Sequence, residues 1–331
     1  MSASIRPAAI ADLPEMAELL IAEAGRRSAL DRQLWPVATD AHARLDTALR
    51  AGLEPSNGPV RELWRLAEAS GRIVGVTHAM IVPVPPIYGA EAPPGLLLDD
   101  CFTTTDAPRG TAETLLAATE AALRATGAAT LIASCPAAAS WRGLYERHDY
   151  EAVTLYMAKH GFTDRALAPG VRPAGAEDVP AIVKLSADHR KTLSQLNPRF
   201  WSIHPQADGR FDAWMRHSLT LKDRDMFVAQ APGGIRGYVI AQGASPLLIP
   251  VPHDIAAIGV IDDFYDLDFA DVRAVSNAGA GASDLLSAAE RAFARRAFDA
   301  ALAVCPAAWT SKVSLLEREG YRTAKLWLLK R

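Results

Sequence analysis

The sequence has few cysteines, no excess of charge of one sign and no paired metal ligands. Its three cysteines, Cys101, Cys135 and Cys305, lack the close spacing of a zinc site or a redox motif, so we expect reduced thiols and no bound metal. Lys and Arg total 35 against 38 Asp and Glu, a net charge of -3. Because no positive field attracts a phosphate backbone, nucleic acid is not an expected partner.

Long apolar runs are also missing. No stretch approaches the roughly 18 apolar residues of a membrane span, and the sequence starts without the apolar run of a signal peptide. These absences predict a cytoplasmic protein that does not associate with membranes. The histidines His42, His78 and His148 stand alone, without the spaced partner that a metal site requires, and are interpreted as surface or core residues.

What the sequence does contain is an internal duplication. The segment Ile5–Ala8, followed by Asp12, reappears as Val171–Ala174, followed by Asp178 at the same spacing. Later landmarks keep their order: Leu98-Asp99-Asp100 is repeated as Ile261-Asp262-Asp263, and Cys135-Pro136 as Cys305-Pro306. A repeat this long predicts two domains of similar fold, residues 1–165 and 166–331, rather than a solenoid of short units.

Each half is predicted to follow the order strand, helix, three strands, helix, strand, helix, strand, which makes a mixed α/β layer. Asp12 and Asp178 are expected to cap the first helix of each half. A long amphipathic helix is predicted over 111–126, with a counterpart over 283–297. The stretches 26–59 and 188–222 diverge most; they are polar, and the parts around Trp35 and Trp201 are expected to line the acceptor side.

The element order and the segment Thr104–Leu116 together resemble the GNAT acyltransferase superfamily, twice and over nearly the whole chain. The resemblance implies a mixed central sheet flanked by helices in each half, with acyl-coenzyme A, first of all acetyl-CoA, as cosubstrate. In that superfamily the backbone amides of a strand-to-helix turn bind the pyrophosphate. The physical basis is the set of unpaired amides at a helix N-terminus.

The turn that matches this signature lies just before the long helix of the first half. Gly110 and Ala112 occupy its small-residue positions, Ala107 stands where Gln or Arg is usual, and Arg109 is the nearest positive charge. The resemblance implies that the cosubstrate is bound by Phe102, Thr103, Thr104, Arg109, Gly110, Thr111, Ala112 and Glu113.

A second signature is Leu-Tyr-Glu near the start of the last short helix, present as Leu144-Tyr145-Glu146. The resemblance implies that the Tyr145 hydroxyl protonates the departing thiolate, and a phenol with a pKa near ~10 suits that role. A packed aromatic is the alternative reading of Tyr145. The second half has Leu316 at this position, so we place catalysis in the first half and leave coenzyme binding in the second half open.

Asp99 and Asp100 are candidates for the general base that deprotonates an amine. Successive strand residues face opposite ways, so at most one of them is expected in the cleft. The pair is retained as Asp262 and Asp263 in a half that lacks the tyrosine. That retention favours a structural role for the acidic pair.

These features predict an acyl-CoA-dependent N-acyltransferase, a monomer or homodimer, that acetylates a small-molecule amine by direct attack. A backbone amide near 103–105 would stabilise the oxyanion. Two alternatives stay open. Departures from the superfamily pattern motivate a non-catalytic acyl-CoA-binding or regulatory module, and they lie at Ala107, Ala138, Asp149 and Leu316. The other alternative places the activity in the second half.

Overall fold

The structure, a computed structural model, describes residues 2–54 and 60–331. The first half contains β1 (Ser4–Pro7), α1 (Leu13–Leu30), α2 (Ala41–Leu53), β2 (Arg61–Ala69), β3 (Arg72–Ile81), β4 (Gly95–Leu97), β5 (Phe102–Thr103), α3 (Thr111–Ala125), β6 (Leu131–Pro136), α4 (Ser140–Arg147) and β7 (Tyr150–His160). The second half contains β8 (Val171–Pro173), α5 (Val179–Leu196), α6 (Ala207–Ser218), β9 (Arg224–Ala231), β10 (Gly234–Gly243), β11 (Ile258–Asp266), α7 (Ala280–Arg295), β12 (Ala300–Pro306), α8 (Thr310–Arg318) and β13 (Arg322–Lys330). Short 3-10 turns lie at Ile10–Asp12, Ala176–Asp178, Leu267–Phe269 and Ser276–Gly279.

The structure confirms the mixed α/β class and the predicted order of the main elements. Two features differ from the prediction. The helices α2 and α6 occupy the divergent polar stretches, of which residues 55–59 lie outside the described residues. The single strand predicted over 96–103 is divided into β4 and β5 by a bulge at residues 98–101.

All strands form one sheet, and the last strands of the two halves are exchanged. Over the described ranges the sheet has thirteen strands in the order β1-β2-β3-β4-β6-β13-β7-β12-β11-β10-β9-β8, with β5 paired to β3. Strand β13 of the second half lies between β6 and β7 of the first half. Strand β7 of the first half lies between β13 and β12 of the second half. Each half therefore completes the sheet of the other.

Two loops also cross between the halves. Tyr88, in the loop after β3, forms a backbone bridge with Ile203 of the second half, and His253, in the loop after β10, forms one with Val37 of the first half. The predicted boundary at residues 165 and 166 falls in the connection between β7 and β8. The division into two domains remains a prediction, because the halves share one sheet.

Helices cover both faces of the sheet. In β2, Leu66 packs in the cluster formed with α1 and α2, whereas its neighbour Ala67 packs in the cluster formed with α3 and α4. This follows from the alternation of side chains along a strand. Leu115 and Leu116 of α3 are fully buried, and such burial contributes about 1.5–3 kcal/mol per side chain. In the described part of the chain, no helix has both the length and the apolar character needed to cross a bilayer.

Asp12 and Asp178 occupy the N-cap positions of α1 and α5 as predicted, but the prediction that their side chains cap these helices is wrong. Neither side chain accepts a hydrogen bond from the first turn of the helix that follows it. Asp12 accepts two hydrogen bonds from Arg6, at 2.7 and 2.8 Å, and Asp178 accepts two from Arg172, both at 2.7 Å. Each carboxylate also accepts the amide that opens the short 3-10 turn. The duplicated Arg and Asp residues therefore fix the corner between strand and turn, and the carboxylates are satisfied before the helix begins.

Candidate active site

In each half, two parallel strands of the sheet separate partway along their length. In the first half β4 pairs with β6 only as far as Leu97 and Ala133. The chain then bulges through residues 98–101 and pairs with β3 through β5, while β6 continues beside β13. In the second half β11 and β12 separate in the same way after Ile261 and Ala303. A crevice therefore opens in the sheet of each half.

The crevice of the first half leads to the N-terminus of α3, where Gly110 has φ +83°. This left-handed conformation favours glycine, and a Cβ at Gly110 would meet no atom within 4 Å, so conformation rather than space requires it. The first-turn amides of a helix have no partner within it. No side chain of the described residues caps α3, and exposed Arg109 has no acidic partner among them. The turn is therefore an open site for an anion, with the helix dipole behind it.

The predicted cosubstrate residues line the path from the bulge to this turn. Phe102 and Thr111 are buried, Thr103, Thr104 and Ala112 are half-buried, and Arg109, Gly110 and Glu113 are exposed. Thr111 stabilises the turn, because its hydroxyl donates to the carbonyl of Pro108 at 2.6 Å. The Thr111 amide donates to the same carbonyl at 3.2 Å, so the amides of Ala112 and Glu113 are the ones left uncovered in the first turn.

The equivalent turn of the second half is capped by the protein's own carboxylate. Asp268 is fully buried and accepts the first-turn amides of Gly281 at 3.0 Å and Ala282 at 3.3 Å. It also accepts a hydrogen bond from Asn277 and forms an ion pair with Arg236. The Arg236 guanidinium lies 2.8 Å from the position of a Cβ at Gly281, so it covers the helix N-terminus. An anion of the protein therefore already occupies the place where a phosphate would bind.

Sequence reasoning missed Asp268 and its partner Arg236. Arg236 precedes Gly237 in β10 in the way that Val74 precedes Gly75 in β3, so a cation replaces an apolar residue at this point of the repeat. The presence of Arg236 could therefore have been noticed in the sequence. The position of Asp268 could not, because the 3-10 turns that place Asp268 beside α7 have no counterpart in the first half.

Tyr145 lies on α4 and is completely buried. Its hydroxyl has no hydrogen-bond partner among the described residues, and its ring packs against Trp141 and Tyr150. Burial, and after it the neighbouring thiol of Cys101, raise the pKa of Tyr145 well above its usual value. The hydroxyl therefore keeps its proton at neutral pH. Cys101 belongs to the bulge, so its neighbour Tyr145 lies close to the place where β4 and β6 separate.

A cavity of about 930 Å³ lies between the halves and is lined by residues of both. Most of its wall is apolar, with Met80 and Leu96 from the first half and Trp201 and Ile249 from the second. The lining includes both Asp99 and Asp100 but does not include Tyr145. Asp99 and Asp100, the two predicted acids, thus line the cavity. Tyr145, the predicted proton donor, does not.

The expectation that at most one of Asp99 and Asp100 faces the cleft is wrong, because both residues belong to the bulge and not to a regular strand. Asp99 accepts hydrogen bonds at 2.7 Å from Lys325, on β13 of the second half, and from Ser134. Asp100 is 3.3 Å from Arg27, whose guanidinium also donates to the Asp99 carbonyl at 2.7 Å. Arg27 and Lys325 therefore hold the bulge and its two charges in place.

His78 belongs to the same polar wall, although the sequence indicated an isolated histidine. Its Nε2 is 3.2 Å from Glu62, its Nδ1 is 3.7 Å from Asp100, and its ring stacks on Trp64 with 3.7 Å between centroids. Burial alone would lower the pKa of His78, but hydrogen bonds to Asp100 and Glu62 raise it above its ordinary value. No local pattern announces this cluster, because its members come from three separate segments of the sheet.

No family model matches the chain, and no curated protein matches it. Among solved structures it is similar to a tandem GNAT protein from the clavulanic acid biosynthesis pathway, with 13% identity and a TM-score of 0.52 over 99% of this chain and 97% of that one. It is also similar to a GCN5-related N-acetyltransferase from Sphaerobacter thermophilus, with 16% identity and a TM-score of 0.55 over 99% and 95% of the two chains. These similarities confirm the tandem GNAT fold that the duplicated sequence predicted.

Proposed function

We propose that the chain is an acyl-CoA-dependent N-acyltransferase, first of all an acetyltransferase, whose first half carries the reaction. One observation supports this above the others. Two equivalent helices begin at a crevice in the sheet, and α3 presents free amides beside Arg109, whereas Asp268 neutralises the amides of α7. One pyrophosphate site per chain follows from this difference.

The residues present fit the cosubstrate that the fold implies. Gly110, Ala112 and Glu113 offer amides to the pyrophosphate, whereas the Thr111 amide donates to the Pro108 carbonyl at 3.2 Å. The thioester, when bound, supplies the acyl group to be transferred. The amide of Thr104 donates to the Val74 carbonyl at 2.9 Å and is occupied. Thr103 pairs opposite Gly75, and the amides of an antiparallel ladder point alternately toward and away from the partner strand. The Thr103 amide is thus the donor directed toward the crevice, and we assign it to the oxyanion.

Tyr145 is the proton donor in this proposal. The Tyr145 hydroxyl is free to donate its proton, because it has no hydrogen-bond partner among the described residues, and it lies beside Cys101 of the bulge. The raised pKa of Tyr145 keeps the proton available for a thiolate. Asp99 and Asp100 are assigned a structural role, because Lys325 and Arg27 already engage their carboxylates.

The test is release of free thiol by the purified protein, measured with several acyl donors against a panel of amines. Tyr145→Phe should lower kcat about tenfold or more, which is about 1.4 kcal/mol in the barrier, without weakening cosubstrate binding. Tyr321→Phe is the matched control, because Tyr321 is equally buried in the second half and its hydroxyl also lacks a partner in the described chain. Its rate should stay that of the unmodified protein.

Calorimetry tests the binding site separately and should give one acetyl-CoA per chain. Ala112→Asp places a carboxylate among the first-turn amides of α3 and should abolish binding, while Ala117→Asp, an exposed change on the same helix, should not. Binding without thiol release from any amine would favour the non-catalytic module. Turnover that survives Tyr145→Phe unchanged would favour activity in the second half.

A further inference from the structure

Five carboxylates border the cavity between the halves, and one of them stands apart. Four have partners: Glu62 with His78, Asp99 with Lys325, Asp100 with Arg27, and Asp263 with Tyr238 and His189. Asp262 accepts no hydrogen bond and forms no ion pair within residues 2–54 and 60–331. Its side chain is accessible, and the space that it borders is the cavity.

The charge on Asp262 is poorly compensated by the protein. The low-polarity surroundings, and after them the charge of Asp263, raise the pKa of Asp262 to about 6. The nearby cation, Arg224, is engaged elsewhere, since its guanidinium pairs with Asp223. A carboxylate in such a place is costly unless a cation joins it.

His189 supplies a second acceptor among the residues that line the cavity. Its Nδ1 is 3.0 Å from Asp263, and because an ionised carboxylate only accepts, that nitrogen carries the ring proton. Burial lowers the pKa of His189, so the ring is neutral and Nε2 is an acceptor. His189 is 8% exposed, and its Nε2 has no partner in the described structure. The Asp262 carboxylate and His189 Nε2 both accept hydrogen bonds and have no donor. They therefore favour a cation that carries N–H groups and disfavour an anion.

The distance from Asp262 to the first-half crevice determines how long a ligand must be to reach both. Five strand-to-strand steps separate β4 from β11 in the sheet order, and at about 4.8 Å each they span roughly 24 Å along the sheet. The strands between them present apolar or aromatic side chains to the cavity: Ile132 on β6, Trp327 on β13, Tyr156 on β7 and Val304 on β12. A ligand that lies along this floor is elongated and apolar in its middle.

We propose that the second half supplies a cation subsite, formed by Asp262 and His189, and that the acceptor is an elongated amine with a second ammonium group at its far end. This inference rests on the proposed function for the reacting end of the acceptor. The crevice of the first half holds the amine that is acylated. The second half, whose own phosphate site is capped by Asp268, contributes the anchor for the distal charge.

Thiol release with α,ω-diaminoalkanes of 4 to 20 carbons, each compared with the monoalkylamine of equal length, tests this subsite. The longer diamines should exceed the matching monoamines about tenfold or more in kcat/KM, because only they place a charge at Asp262. Asp262→Asn, which keeps the shape of the side chain, should remove this preference and leave the monoamine rates unchanged. Asp299→Asn is the matched control, an exposed carboxylate of the same half outside the cavity lining, and should keep the preference.

The outcomes separate the inference from the proposed function. Thiol release with equal rates for diamine and monoamine, or a diamine preference that survives Asp262→Asn, overturns the subsite and leaves the transferase standing. If no amine gives thiol release, the transferase proposal fails, and calorimetric titration with 1,12-diaminododecane decides the subsite alone. Binding that is lost in Asp262→Asn supports it, whereas equal binding in both proteins, or none in either, overturns it.

Discussion

The buried ion pair between Asp99 and Lys325 gives the sharpest test of how the two halves are joined. Asp99 lies in the bulge of the first half, Lys325 lies on β13 of the second, and their side chains are 2% and 1% exposed with 2.7 Å between the charged atoms. Lys325→Met removes the positive charge and keeps the length of the side chain. The variant leaves the Asp99 carboxylate buried with Ser134 as its remaining donor.

The magnitude follows from the burial of the charge that remains. Breaking a buried pair from one side costs about 3–5 kcal/mol, because the remaining carboxylate stays buried without its counter-ion. We therefore expect Lys325→Met to lose about 3–5 kcal/mol of stability.

Urea unfolding measures this loss by linear extrapolation. The double variant Asp99→Asn with Lys325→Met should recover most of the loss, since no unpaired charge remains. Lys330→Met is the control on the same strand, because the Lys330 pair with Glu120 is partly exposed and should be worth about 1 kcal/mol or less. A loss below about 1 kcal/mol for Lys325→Met, or a double variant as unstable as the single one, would refute the reasoning.

Three further outcomes are expected. Tyr145→Phe should be as stable as the unmodified protein or about 1 kcal/mol more stable in thermal unfolding, because the hydroxyl it removes has no partner in the described structure; a clear destabilisation would contradict that. Asp268→Ala should lose about 2 kcal/mol in urea unfolding, because two helix amides lose their acceptor and Arg236 loses one of its two carboxylate partners; a loss below about 0.5 kcal/mol would show that the cap is unimportant. Asp262→Asn should be more stable than the unmodified protein at pH 8 and equal to it at pH 4. The folded pKa of Asp262, about 6, exceeds the unfolded value near 3.8, so the unmodified protein loses stability as the pH rises through 6. The full shift corresponds to about 3 kcal/mol, which water at this accessible group reduces to about 1 kcal/mol; a difference independent of pH would contradict the assignment.

The fold was predictable from the sequence because its signals are local and occur twice. Arg6 and Asp12 recur as Arg172 and Asp178, and their contacts are the same in both halves, which is why their spacing is preserved. The helix α2 escaped prediction because its buried face is only the narrow stripe Ala41, Leu45 and Leu49 in a polar segment. The stripe has helical spacing, but it is too narrow to form the wide apolar face by which an amphipathic helix is recognised in a sequence.

The exchange of β7 and β13 and the polar wall of the cavity were not predictable in the same way. A strand alternates identically whether its neighbour comes from its own half or from the other, so the pattern in β13 does not reveal that it pairs with β6 and β7. The partners of Asp99 and Asp100 are distant in sequence, with Lys325 on the exchanged strand and Arg27 on α1. The strand exchange therefore made both the sheet order and the surroundings of Asp99 unpredictable from the sequence.

The exchange gives a physical reason why a half without the motif tyrosine and with a capped phosphate turn remains necessary to the other. Strand β13 lies against β6, and β6 borders the crevice of the first half. Lys325 reaches from that strand to the bulge that separates the crevice from the cavity. If the second half moved away, the first half would lose both the strand that supports one wall of its crevice and the cation that holds the other. The second half can therefore depart from the superfamily pattern at Leu316 and Asp268 without altering the first-half site, whereas a change at Lys325 acts on both halves at once.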